Sequence, residues 1–175
     1  TVPEPVERST YVLAASLCLD VLFWQWRPLG TTPLWQLTGS GAVATVIIST
    51  LGWLLVFAAT FMLDHFDLFG LRQAWIAFRG KPYPELHFAT PGLYRAVRHP
   101  IYLGFVIAFW STPSMTLGHF VFAAITTGYI LMAIQLEERD LITRYGALYV
   151  DYRRRVGMLL PWPRSAERES QAPHR

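Results

Sequence analysis

From Pro100 to Leu136 the chain runs for 37 residues without one Asp, Glu, Lys or Arg. As a single helix that stretch would measure about 55 Å at ~1.5 Å per residue, against a hydrocarbon core of ~30 Å. It must fold back on itself, and Ser111-Thr112-Pro113-Ser114 marks the break. A second stretch, Tyr11 to Met62, holds only Asp20 and Arg27. Charged residues make up 15% of the 175, against roughly 25% in soluble domains. A soluble domain of this size has too little interior for so much apolar surface, and the apolar and aromatic content excludes disorder. The expectation is an all-α, polytopic integral membrane protein. Its apolar runs are continuous rather than alternating over ten-residue segments, which argues against a β-barrel.

The first span is expected from Ser9 to Trp26, with Trp24 and Trp26 near one interface. Asp20 lies inside it, where a charge costs up to ~3 kcal/mol at the bilayer centre, so it is expected to face a partner helix or water. The linker Arg27–Ser40, with Pro28, Gly30, Pro33 and Gly39, reads as a loop. Gly41–Leu63 is an uncharged second span. Leu68, Leu71, Trp75 and Phe78 recur at spacings of three and four, which predicts an amphipathic helix on the membrane surface. Lys81-Pro82-Tyr83-Pro84 ends it. The long uncharged stretch reads as a helical hairpin, with a short arm over Pro100–Thr112 and a long arm over Met115–Glu138. A short arm beside a long one leaves room for a cavity at the cytoplasmic side. Basic residues fix that side: five fall between Arg72 and Arg98, seven between Arg139 and Arg168, and one in the first linker. Residues 1–163 are thus expected to form one membrane-embedded domain, and 164–175 a disordered tail. Because residue 1 is Thr, the chain is expected to begin inside a longer protein; the family resemblance described below implies further helices upstream. Cys18, the single cysteine, is expected to be a small packing residue. The net charge of +3 sits at the flanks of apolar runs and implies a bilayer rather than nucleic acid. No Cys/His spacing suggests a metal, and no feature implies a protein partner.

Two polar clusters bracket the hairpin: Pro91 to Gly104, which contains Arg98-His99-Pro100-Ile101-Tyr102, and Glu137-Glu138-Arg139. Folding the hairpin brings His99 and Glu137 to the same membrane face. Adjacent acids at the end of an apolar helix are costly unless a cation or hydrogen-bond donor meets them. A helix starting at Pro100 leaves backbone N–H groups free to hold a carboxylate, and Gly104 permits close backbone approach. Tyr94 and Tyr102 offer cation–π contact. A ligand with an amino-acid moiety, a ribose and a cationic centre fits these groups. Equally, charged clusters at these positions can mark only the edge of the bilayer.

Arg98-His99-Pro100-x-Tyr102-x-Gly104, followed after an apolar hairpin by Glu137-Glu138, resembles the isoprenylcysteine carboxyl methyltransferase type of membrane enzyme. The C-terminal run Tyr145-Gly146, Tyr149, Tyr152-Arg153-Arg154-Arg155-Val156 and Leu160-Pro161-Trp162 extends the likeness. Within that superfamily the chain is most similar to the bacterial methanethiol S-methyltransferases. Glu7 to Leu13, Phe23 to Pro28, His65-Phe66-Asp67-Leu68-Phe69-Gly70-Leu71-Arg72-Gln73 and Gln135 to Leu141 carry this second likeness, and together they cover about residues 5 to 162. The resemblance implies S-adenosylmethionine (SAM) as cofactor, held by His99, Pro100, Ile101 and Tyr102, with Tyr94 as an aromatic contact and Glu137, beside Glu138, as the acid. His87 matches a further cofactor-contacting histidine once one residue is deleted before Tyr94. The prenylcysteine enzymes carry an arginine for the substrate carboxylate four residues before that acid. Here Ala133 stands there, which favours a small uncharged acceptor.

The resemblance also implies methanethiol as methyl acceptor, dimethyl sulfide as product, and a multi-pass location in the bacterial cytoplasmic (inner) membrane. The thiolate is the effective nucleophile, and a thiol of pKa ~8.5 is only a few per cent ionised at neutral pH. His65, beside Asp64 and Asp67, is a candidate base for the thiol proton; the alternative is that Asp64-His65-Phe66-Asp67 only caps and anchors the surface helix. Two other functions compete. One is methylation of a prenylcysteine carboxyl group or a lipid amine, which needs a lateral opening for a tail. The other is a non-catalytic haem- or quinol-binding subunit. His65, His87 and His99 lie outside the apolar spans, however, so a histidine ligand pair within a bundle is not evident.

Overall fold

The structure, a computed structural model, describes residues 4–27, 32–62, 71–80 and 88–161. The first half comprises helix α1 (Glu4–Trp24), strand β1 (Pro33–Gln36), helix α2 (Gly39–Met62) and the short helix α3 (Leu71–Phe78). A 3-10 turn at Gly92–Arg95 leads into helix α4 (Pro100–Trp110), strand β2 (Ser114–Thr116), helix α5 (Leu117–Tyr145) and helix α6 (Ala147–Arg155). Expectations that fall on Asp64, His65, Asp67, Leu68, His87, Trp162 and the tail lie outside the described residues.

Helices α2 and α5 are long and apolar enough to cross a membrane, while α1 and α4 carry shorter apolar segments. Most of the apolar surface of α2 and α5 points outward. Val43, Ile47, Leu51, Leu54 and Phe57 of α2 are all exposed. A soluble core helix would bury these side chains; here lipid is their solvent. The protein is therefore mostly helical and built as a membrane protein. Asp20 and Cys18 are exposed on α1 rather than packed against a neighbouring helix.

The hairpin has unequal arms: at ~1.5 Å per residue, α4 is about 16 Å long, while α5 needs about 33 Å to run from Leu117 to Glu138. The six residues from Ser111 to Thr116 form its tip, and α5 starts beside the end of α4, with Phe122 packed on Phe109. Extended backbone at the membrane boundary needs hydrogen-bond partners, and the first linker provides them. β1 and β2 pair antiparallel, with Trp35 opposite Met115 and Gln36 opposite Ser114. Leu37 N–H donates to the Pro113 carbonyl at 2.7 Å, and the Trp35 indole N–H to the Thr112 carbonyl at 3.2 Å. The linker, expected to be a loop, thus contains a strand. Its prolines and glycines punctuate the segment, but Leu34-Trp35-Gln36 between them remains free to pair.

α2 and α4 cross at glycines. A Cβ on Gly52 would lie 2.8 Å from the Ala108 nitrogen, and one on Gly104 would lie 2.7 Å from the Gly52 carbonyl oxygen. Gly52, Val56 and Ala59 on one helix and Gly104 and Ala108 on the other are buried, the small-residue contact that lets helices approach in lipid. We expect Gly52→Leu to force the helices apart and destabilise the protein by about 1–3 kcal/mol. The check is a lower thermal midpoint in detergent; an unchanged midpoint would contradict the crossing.

Candidate functional site

The segment before α4 is placed from two directions. At its start, Gly92 adopts φ 47° over Met62, the last residue of α2, and Leu93 N–H points to the Met62 sulfur at 3.4 Å. At its end, Arg98 and His99 N–H donate to the carbonyls of Gly157 (2.9 Å) and Met158 (3.1 Å), beside a parallel bridge between Val97 and Gly157. The Tyr152 hydroxyl of α6 donates to the Tyr94 carbonyl at 2.5 Å. Phe88 packs on Tyr145, Tyr149 and Tyr152. The chain following α6 therefore forms the back of the polar cluster.

Arg98 is the hub. Its Nε and Nη2 donate to Glu138 Oε1 at 2.8 and 2.7 Å. Its Nη1 donates to the carbonyls of Arg153 (2.9 Å) and Val156 (2.6 Å), at the C-terminal end of α6. A cation there meets the carbonyls that a helix end leaves without partners. Glu138 Oε2 receives Arg153 Nε at 3.2 Å. With both oxygens engaged and its side chain 3% exposed, Glu138 holds α4, α5 and α6 together.

Glu137 is different. Its side chain is 46% exposed, and it faces His99, Tyr94 and Tyr102. Tyr102 lies beside it, close enough for the Glu137 charge to act on its phenol, and His99 Nδ1 lies 3.7 Å from its Oε2. Burial, and after it the Glu137 charge, raises the Tyr94 phenol above its usual range, so it stays a neutral donor. The His99 pKa is lowered from 6.5, because burial outweighs the opposing pull of Glu137 and Glu138. His99 is thus neutral near pH 7. Its Nε2 lies 3.2 Å from the Glu138 carboxylate, which can only accept, so the proton sits on Nε2 and the Nδ1 lone pair is open. His99 is also the N-cap of α4 yet makes no side-chain cap bond, with Pro100 at the first helical position. The first-turn amides of Ile101 and Tyr102 flank this face.

The fold therefore brings Tyr94, His99, Pro100, Ile101, Tyr102, Glu137 and Glu138 into one cluster. Gly104 is the exception: the close approach it permits is made by the α2 backbone. Arg98, Arg153 and Tyr152, which the sequence offered only as part of the family likeness and without a role, complete the cluster. His119 lies at the start of α5, at the hairpin tip and away from this cluster, its Nε2–H donating to the Phe109 carbonyl at 2.8 Å. Among the described residues, no group of His, Cys, Asp and Glu could hold a metal ion.

Protonation of His99 would place Nδ1–H beside Glu137. The resulting ion pair would compete with any donor that Glu137 binds. Binding of a cationic or hydroxyl-bearing ligand should therefore weaken as pH falls through the His99 pKa, below 6.5. Titrating affinity between pH 8 and pH 5 tests this, and a flat profile would contradict it.

These features define a helical membrane protein with a cluster of titratable side chains at one end of its helices. The chain belongs to the family described as protein of unknown function (DUF1295), which matches residues 29–156. It is 58% identical over 159 residues to methanethiol S-methyltransferase 2 of Bradyrhizobium diazoefficiens, covering 91% of this chain and 61% of that protein. It is 56% identical over 163 residues to methanethiol S-methyltransferase of Mycobacterium tuberculosis, covering 93% and 66%. Nurim of Xenopus laevis is 29% identical over 143 residues, covering 77% and 50%. The chain thus spans less than two thirds of the length of these curated relatives. No solved structure matches it. The likeness to methanethiol S-methyltransferases read from the sequence is borne out by these relatives.

Proposed function

We propose that the protein is a SAM-dependent methyltransferase of the inner membrane that converts methanethiol to dimethyl sulfide. The observation that carries this reading is the half-exposed Glu137 carboxylate, ringed by His99, Tyr94 and Tyr102 next to an uncapped helix N-terminus. The printed names of the relatives supply the acceptor.

The donor set fits SAM. Glu137 and His99 Nδ1 accept hydrogen bonds from hydroxyl or ammonium groups, the Ile101 and Tyr102 amides suit a carboxylate, and the tyrosine rings face a cation. When bound, the cofactor supplies an electrophilic methyl group on a sulfonium. The protein's part is alignment, which is worth up to ~7–11 kcal/mol in such reactions, and exclusion of water. Tyr102 serves both ends of the reaction, because it lies beside Glu137 and also borders an apolar cavity reaching toward the hairpin tip. Glu138 and Arg98 hold that geometry. A thiolate base role for His65 remains part of the proposal and lies outside the described residues.

The test is purification in detergent, calorimetric titration with SAM, and headspace detection of dimethyl sulfide after methanethiol is added. Binding and product together support the reading. A preference for a prenylated cysteine would replace it with the carboxyl methyltransferase alternative, and a haem spectrum without SAM binding would reject both.

A further inference from the structure

A cavity of about 990 Å³ lies between α1, α2, α4 and α5. Trp53, Tyr102, Phe105, Phe109, Phe122 and Tyr129 form its aromatic walls. Among the described residues, no Asp, Glu, Lys or Arg lines it. Its polar side chains are largely spent on backbone: Ser49 donates to Ala108, Thr50 to Val46, Thr112 to Ser114, and His119 to Phe109. The Thr116 hydroxyl accepts the His119 N–H. Such an open-sided cavity offers an occupant mainly hydrocarbon and aromatic contact. Its volume is at the upper end of the ~300–1,000 Å³ that drug-sized ligands occupy. Methanethiol, with two non-hydrogen atoms, leaves most of it unfilled. Tyr102 ties the cavity to the site, since it borders both the cavity and Glu137.

We propose that this cavity is an acceptor chamber for uncharged thiols with hydrocarbon tails longer than methyl, and that it excludes charged thiols. The inference rests on the reading of the protein as a thiol methyltransferase and extends its acceptor class. The chemistry stays the same for every tail length. A C–S bond forms at the acceptor sulfur, the sulfonium C–S bond breaks with its electron pair kept on the donor sulfur, and the thiol proton leaves to a base and from there to bulk water. Sulfur sits at the Tyr102 end and the tail runs between Trp53, Phe105 and Phe109 toward the hairpin tip. Each buried methylene adds ~0.8 kcal/mol, a factor of about four.

The experiment compares SAM-dependent methylation of the n-alkanethiols from methanethiol to hexanethiol with that of cysteine and glutathione. The expected result is a KM that falls two- to fourfold per added methylene, with no methylation of the charged thiols. Thr126→Phe, on the cavity wall, should shorten the best chain length while leaving SAM affinity unchanged; Thr126→Val, which adds no bulk, should not. A kcat/KM that falls from methanethiol to propanethiol, or methylation of glutathione at a rate comparable with hexanethiol, overturns the inference while leaving methanethiol methylation standing. Failure of the wild-type protein to bind SAM, or to methylate any thiol, overturns the underlying reading and the chamber with it.

Discussion

Glu138→Ala is expected to destabilise the protein by about 3–5 kcal/mol, the cost of leaving a buried charge without its partner. Arg98 would keep its two carbonyl acceptors but lose its counter-charge, His99 Nε2–H would lose its acceptor, and Arg153 its anchor. α4, α5 and α6 would lose the carboxylate that joins them. At roughly 2–4 °C per kcal/mol for a chain of this size, the thermal midpoint in detergent should drop by about 10 °C. Arg98→Ala should match it, and the double variant should cost much less than the sum, because the second substitution removes the orphan left by the first. Additive losses would show that the two residues act independently.

Glu137→Gln is expected to do the opposite: preserve the fold and damage binding. The residue is half-exposed and holds no helix in place, so the midpoint should move by less than about 0.5 kcal/mol in equivalent stability. Hydrogen bonds to a charged acceptor are worth ~1.5–3 kcal/mol, so SAM affinity should fall by roughly tenfold or more. The pH dependence assigned to His99 should also flatten, since its competing ion pair is gone. Calorimetry that returns wild-type affinity for this variant would reject the site.

The contrast between these neighbours shows what a sequence can and cannot convey. Consecutive residues on a helix point about 100° apart, so Glu137 and Glu138 cannot serve one pocket equally. The sequence placed both acids at the site without telling them apart. Which one turns inward depends on where α6 docks, and α6 is set by contacts 55 to 58 residues distant from Arg98. The spans were legible because an uncharged run admits few folds. The meeting of His99 with Glu137 followed from the hairpin alone. Gly104 was ambiguous by itself; Ala108, four residues later, carried the signal for helix packing. β1 was hidden by its flanking prolines and glycines, and its partner is nearly 80 residues away.

The backing of the site by the segment after α6 sets a timetable for biosynthesis. Ribosomes add ~5–20 residues per second, so roughly 3–11 s separate the emergence of Arg98 from that of Arg153, 55 residues later. Throughout that interval the arginine that later organises the cluster has neither its helix-end carbonyls nor the bridge from Gly157 to Met158. It must stay solvated by headgroups and water while α4 already seeks lipid. The nascent hairpin can therefore enter lipid before the polar cluster around Arg98 is complete, and that cluster closes only once the α6 segment has left the ribosome.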